Sequence, residues 1–415
     1  MRLRRLSYLI VSLCAVAALA AGSAAAETGF GPGTGIEAGT SFTPLAASTM
    51  TTPTAVLGTD GKQHIAYELL LTNATATAAT VEKLEVRAPG VTKPLATIAG
   101  SQLVADMTRL GGLPEGTPPA EATTIPGGSV GVVWLDVTLP AKAAVPSELE
   151  HRVTATLLVP KPFHFTADLD SVKTGTRAPL VLGPPLRSGT WVADEGCCSE
   201  PTHHRRGLAP IDGRLLVPQR FAIDWAMVDS HHRAWVGDPS KLSSYFGFGQ
   251  PEIAAAPGTV VSAVDGIAEN RPQGPLTPLP PIQNTVGNHV ILKVAPGRFL
   301  LYGHMKTGSV RVKVGQKVRE GQLLGQVGNT GNSSTPHLHF QVLTEPTFFP
   351  SDSAPFTFAH FSLLGQVTAP FTDETLALQP TGTIPIAPSK AGARSRRAEM
   401  PLDLNVIRFQ SSKAG

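Results

Sequence analysis

Pro336-His337-Leu338-His339-Phe340, followed by Gln341 and Val342, is the stretch on which the reading of this chain turns. Side chains alternate across a β-strand, so His337 and His339 share one face while Leu338 and Phe340 point into a core. The turn-rich run Gly328-Asn329-Thr330-Gly331-Asn332-Ser333-Ser334 starts that strand sharply. Two imidazoles side by side on a rigid strand suit metal ligation, or ligation by one and proton transfer by the other. A surface strand with two hydrogen-bonded histidines has the same local pattern, so the surrounding sequence has to decide.

Working outward, Gly287-Asn288-His289-Val290-Ile291-Leu292-Lys293-Val294 and Arg298-Phe299-Leu300-Leu301-Tyr302-Gly303-His304-Met305 flank Ala295-Pro296-Gly297, a clear hairpin pattern. Gly308 to Gly328 alternates short Val/Leu runs with glycine turns, as a compact β-roll does. Further upstream, Asp224 sits inside the apolar run Phe221-Ala222-Ile223-Asp224-Trp225. A carboxylate there is costly unless it is paired or bound to metal, with Arg220 the nearest candidate partner. Before it lies the polar stretch Cys197-Cys198-Ser199-Glu200-Pro201-Thr202-His203-His204-Arg205-Arg206. Adjacent cysteines bridge only with strain, so a thiol pair, a metal site and an intermolecular link stay open for Cys197 and Cys198. The Pro-rich loop Pro272 to Pro281 is stiff enough to flank a cleft, and His231 and His232 read as solvated.

The 415 residues allow two or three domains. With 41 Gly, 37 Pro and only 16% charged residues, the composition favours β-rich folds over helical bundles. Residues 45 to about 160 hold short β-type runs between turns, among them His64 to Leu71, Val81 to Val86, Val130 to Val137 and His151 to Leu158. That spacing predicts an immunoglobulin-like β-sandwich. It gathers no titratable cluster, so His64, His151 and His164 are expected to be structural. At the N-terminus, Arg2, Arg4 and Arg5 precede an apolar run from Leu6 to Ala21 and a small-residue site at Ala24-Ala25-Ala26, which reads as a secretion signal. Removing its three arginines from the 34 basic residues balances the 31 acidic ones, which leaves no electrostatic case for nucleic acid. No other stretch is long enough to cross a bilayer.

Several ordered blocks over 204–345 resemble the zinc metallopeptidases of the M23 type, the lysostaphin- and LytM-like peptidoglycan endopeptidases. They are Gly287-Asn288-His289-Val290, Tyr302-Gly303-His304-Met305, the paired-glycine roll Gly315 to Gly325, Gly328-Asn329-Thr330-Gly331 and His337-Leu338-His339-Phe340. The resemblance implies Zn2+ as cofactor, Asp224 and His339 as ligands, and His304 and His337 as the pair that handles protons and stabilises the oxyanion. It also implies a peptidoglycan or other peptide substrate. Glycine-paired rolls occur in lipoyl and biotinyl carrier domains too, but Lys313 and Lys317 lack the flanking pattern of a carrier lysine.

One departure stands out. The family's first block runs His-x-x-x-Asp, and here Arg220 occupies the histidine's place. A guanidinium stays protonated and cannot ligate zinc. Three explanations compete: His204, or less favourably His203, folds in as the third ligand; the domain has lost zinc and binds the cell wall or regulates a hydrolase; or two ligands bind weakly and a partner completes the site. The expected layout is all-β: a signal peptide at 1–26, a linker at 27–44, a β-sandwich at 45–180, an M23-like antiparallel β-domain with a groove at 181–365, and a flexible tail at 366–415. The chain is expected to be exported to periplasm, cell wall or medium. The N-terminal module or the Cys197–His204 loop is expected to mask the groove.

Overall fold

Strands Lys62–Asn73 and Val130–Pro140 run antiparallel along their whole length, with Lys62 facing Pro140 and Thr72 facing Val130. They are the centre of the first sheet of the computed structural model, which describes residues 42–113, 118–158, 161–198, 201–273, 281–368, 381–389 and 392–409. The secretion signal, nearly all of the 27–44 linker and most of the Pro-rich loop lie outside these residues.

Leu45–Thr49 and Ala55–Leu57 flank the first strand, and Met107–Arg109 flanks the second. A second sheet orders Phe163–Lys173, Glu148–Leu157, Ala79–Arg87 and Ala96–Ala99. Between the sheets, Ile65, Tyr67, Leu69, Val133 and Leu135 pack against Val81, Leu84, Val86, Val153 and Leu157. These residues alternate along each strand, as a half-buried sheet requires, except where a bulge between Val81 and Lys83 shifts the register. The histidines of this module are held structurally. His64 bonds Asp136 and Asp60, His151 bonds Tyr67, and His164 bonds Thr156.

The second body is built on one long antiparallel sheet. Its path runs Lys317–Val318, Gly258–Val264, Asn288–Ala295, Arg298–Met305, Leu338–Leu343, Ile223–Val228, Thr190–Asp194, Asn405–Phe409, Phe361–Val367 and Ile386–Pro388. The hairpin expected around Pro296-Gly297 forms, with Val290 opposite Tyr302. Leu338 and Phe340 are fully buried, and Phe340 packs edge-to-face on Tyr302 and Phe356. The protein is therefore all-β, as its composition and periodicity predict.

The stretch expected to be a flexible tail contributes strands instead. Asn405–Phe409 pairs with Thr190–Asp194 on one side and Phe361–Val367 on the other. Phe409 lies 5.3 Å from Trp225 and 5.1 Å from Phe358, ring centre to ring centre. The small, basic composition of Ser389 to Arg397 obscures a short β-branched and aromatic run downstream of it.

The two bodies share one core, since Val56 and Ala66 of the sandwich cluster with Trp225, Phe356 and Phe358. They also share a buried charge cluster. Glu68, fully buried on the sandwich, accepts from Arg220 Nε at 2.9 and 3.1 Å and from Arg220 Nη2 at 2.6 Å, and it also accepts from Arg205 Nη1. Arg220 Nη1 reaches Asp352 at 2.5 Å. Burial alone would raise the Glu68 carboxyl, but the two guanidinium groups outweigh it and hold it below its ordinary value.

Two stability predictions follow from this packing. Ile407→Ala should cost about 2–5 kcal/mol in denaturant unfolding, whereas a free tail would give no change. Glu252 is fully buried, and neither carboxylate oxygen has a hydrogen-bond partner among the described residues. Burial raises its folded pKa well above the ordinary value, so its contribution to stability is lost as pH climbs from the unfolded value toward the folded one. Glu252→Met should therefore raise the melting temperature more at pH 8 than at pH 5, with a gain of about 1–3 kcal/mol at the higher pH.

Candidate metal centre

Strand register places the central residues. Asp224 stands directly opposite His339, and His339 stands opposite Gly303 on its other side. A Cβ on Gly303 would sit 3.3 Å from the His339 Cβ, so the glycine leaves room for that imidazole. His304 follows Gly303 with φ +59°, a left-handed conformation uncommon outside glycine, which turns its ring into the same space. His337 enters from the turn before the Leu338–Leu343 strand. All four side chains line one cavity of about 270 Å³, together with His204, His203 and Phe348.

The third contributor comes from the preceding segment. Asp194 pairs with Asp224, so Glu195 just beyond it stands beside the site. The Glu195 carbonyl lies 3.2 Å from His204 Nδ1, and its carboxylate accepts from the His204 backbone N–H and contacts His203 Nδ1. His204 is buried in the short helix His203–Arg206, with Nε2 3.4 Å from Asp224 Oδ2. His203 is half-exposed at the rim.

Each imidazole is oriented by an acceptor on its outer side. Gln341 Nε2 donates to the Pro218 carbonyl at 2.8 Å, which turns Gln341 Oε1 toward His339 Nε2, also at 2.8 Å. His339 Nε2 must then carry the hydrogen, leaving the lone pair on Nδ1. That Nδ1 lies 2.8 Å from Asp224 Oδ1. His204 donates Nδ1–H to Glu195, so its Nε2 lone pair faces Asp224. His304 Nδ1 is 2.7 Å from the Thr330 carbonyl, and His337 Nδ1 is 2.8 Å from the Thr335 carbonyl. Gly287, with φ +59°, permits the Thr330 contact, since a Cβ there would come within 2.3 Å of that oxygen.

The electrostatics agree with this geometry. Burial works to raise the Asp224 carboxyl, yet the facing imidazoles of His204, His337 and His339 hold it well below the usual carboxylate range. Burial lowers His204 well below its ordinary value, against the pull of Asp224 and with the help of His203 and His339. Burial, then His337 and His339, do the same for His304. An ionised carboxylate faced by imidazole lone pairs calls for a positive charge between them. His204, Asp224 and His339 offer three donor atoms within 4.8 Å of one another, a two-nitrogen, one-oxygen set that can hold a metal ion.

The residues singled out in sequence thus divide cleanly. His204, Asp224, His304, His337 and His339 converge. Arg220 does not contact Asp224 and turns away to Glu68 and Asp352. Cys197 and Cys198 are buried and joined as a disulfide. His231 and His232 are exposed. Sequence reasoning passed over Gln341, Glu195 and the carbonyls of Thr330 and Thr335, because orienting acceptors carry no motif of their own.

A buried Asp–His cluster of this kind, on an antiparallel sheet, can hold a metal ion. Residues 247–349 match the family model described as Peptidase family M23. The match contains His304, His337 and His339 and begins after Arg220 and Asp224. Among curated relatives, cell division protein DipM of Caulobacter vibrioides is 43% identical over 63 residues, 15% of this chain and 10% of that protein. Glycyl-glycine endopeptidase ALE-1 of Staphylococcus capitis is 49% identical over 41 residues, 10% of this chain and 11% of that one. Peptidoglycan DD-endopeptidase ShyA of Vibrio cholerae is 39% identical over 57 residues, 14% and 13%. The matches therefore span about a tenth of the length of those relatives. Among solved structures, the catalytic domain of lysostaphin from Staphylococcus simulans aligns at 20% identity and TM-score 0.22, covering 40% of this chain and 88% of that one.

Gln341→Leu should leave the fold intact and weaken metal binding by about 10–100-fold, since it removes the acceptor that fixes the His339 tautomer. Chelator competition on the purified protein measures this, and an unchanged affinity would refute the orienting role.

Proposed function

We propose that this protein is an exported zinc-dependent endopeptidase that cleaves peptide bonds of peptidoglycan. The observation that carries the reading is the convergence of four buried imidazoles on one ionised carboxylate, at the floor of an open cavity. In this reading His204 Nε2, Asp224 and His339 Nδ1 are the metal ligands, and His204 takes the place that Arg220 vacates. A zinc ion with three protein ligands supplies a polarised carbonyl and a water activated near neutral pH.

The chain's own groups do the rest. His304 is kept neutral by burial, and its Nδ1–H is donated to Thr330, so Nε2 is the atom that accepts a proton in the cavity. His337, tethered through Nδ1 to Thr335, presents Nε2 to the cavity 3.4 Å from Asp224 Oδ2. From there it faces the developing oxyanion, and the proton that His304 takes up is the one passed to the leaving amine. Phe348, beside His339 at 6.3 Å between ring centres, gives the cavity one apolar wall against which a peptide can lie. The substrate class follows the activities named for ALE-1 and ShyA, and export follows the basic head and apolar run at 1–26. No helix among the described residues is long and apolar enough to cross a membrane.

The test is paired. His339→Ala should abolish zinc binding, read as metal content after dialysis. His337→Ala should keep about one zinc per chain and lower hydrolysis of purified peptidoglycan by about 10²–10⁴-fold. A parent protein that takes up no zinc on reconstitution would overturn the enzyme reading and leave a wall-binding or regulatory one.

A further inference from the structure

We infer that the N-terminal β-sandwich is a positioning part of the metal centre, acting through Glu68 and Arg205 to hold His204 in place. This rests on the proposed role of His204 as a ligand. It concerns a dependence that runs opposite to masking, because here the module helps build the site.

The helix that carries His204 has four residues, far too few to be stable on its own. Apart from its N-cap, where Thr202 accepts from the Arg205 backbone N–H, its anchors come mainly from the sandwich. Arg205, the residue after His204, is buried and spends its guanidinium on four fixed acceptors. They are Glu68, the Tyr67 carbonyl at 3.1 Å, the Leu135 carbonyl at 2.9 Å, and the Cys198 carbonyl at 2.8 Å. Three of the four belong to the two central sandwich strands. The same guanidinium lies 5.4 Å from the Trp134 ring of that sheet. Arg206 donates to the Ala105 carbonyl at 2.7 Å and pairs with Asp106 at 3.1 Å, again on the sandwich.

Against these, His204 itself is tied to the second body through Glu195 and Asp224. With Arg205 clamped, the neighbouring backbone has little freedom, and the His204 ring falls 4.9 Å from the His339 ring. Arg220 completes the arrangement. In the usual ligand's place it delivers a second guanidinium to Glu68, so the carboxylate that locks Arg205 is itself fixed from both bodies. The substitution that removes one ligand thus contributes to the mount for its replacement.

Arg205→Lys in the mature chain tests this. Lysine keeps a cation beside Glu68, so the fold should survive by circular dichroism, but it cannot reach all four acceptors. The zinc dissociation constant, measured by chelator competition well below the melting temperature, should rise at least about tenfold. The zinc-induced rise in melting temperature should shrink to match. Glu68→Gln, read the same way, should also weaken zinc binding and covers the case in which Arg205→Lys does not fold. Folded variants with zinc affinity within twofold of the parent, while His204→Ala loses the metal, would overturn the positioning role and leave the site reading standing. Equal affinity in His204→Ala and the parent would overturn both.

Discussion

A carboxylate removed from water must be matched by cations in fixed positions, because an unpaired buried charge is among the costliest features a fold can carry. Glu68 is such a group, at 0% exposure, and two guanidinium groups meet it from different parts of the chain. A buried cluster of this kind is weak evidence for net stability, since apolar residues would often do as well. What it supplies is geometry. The arrangement of sandwich, helix and sheet that satisfies Glu68, Arg205 and Arg220 together brings the His203–Arg206 helix to the edge of the cavity.

The replacement of the family's usual histidine by Arg220 is intelligible in these terms. A histidine at position 220 would sit on the strand approach and need no outside help to reach a metal beside Asp224. Arginine there makes that route impossible and at the same time commits the site to a partner from elsewhere in the chain. His204 meets the requirement because Asp194 lies opposite Asp224 in the sheet, which carries the Glu195 carbonyl, and with it the His204 ring, to the cavity wall. In the proposed reading the ligand set is rebuilt from a segment twenty residues before Asp224, and it depends on contacts with a second module.

How much of this could be read from the chain depended on the range of the contacts. His337 and His339 follow from two-residue alternation, and Asp224 from the expense of a carboxylate in an apolar strand. His304 follows from the resemblance of the block Tyr302-Gly303-His304-Met305 to the M23 family. All are local patterns. His204 was one candidate among three explanations, since its placement hangs on the Asp194–Asp224 register and on Arg205 contacts 70 and 137 residues away in sequence. No periodicity announces such pairings. Composition misled at the other end of the chain, where averaging over small and basic residues concealed Asn405–Phe409, a strand too short to show a period yet central enough to bridge two others.

The same logic separates the parts of the site by how firmly they are held. His339 and Asp224 are set by the strand ladder, whose backbone bonds persist whatever the neighbouring module does. His304 and His337 are set by carbonyls in the 328–336 turn, itself pinned by Asn270, which donates to the Gly331 and Ser333 carbonyls at 2.7 and 2.9 Å. His204 alone depends on a helix of a single turn and a charge cluster across a module boundary. If these three donors hold the metal as proposed, its affinity is set by the least secured of them. His304 and His337, the proposed proton-handling pair, take their orienting carbonyls from the second body and do not share that dependence. A perturbation of the sandwich should therefore reach the reaction through the metal first and through the imidazoles of His304 and His337 hardly at all.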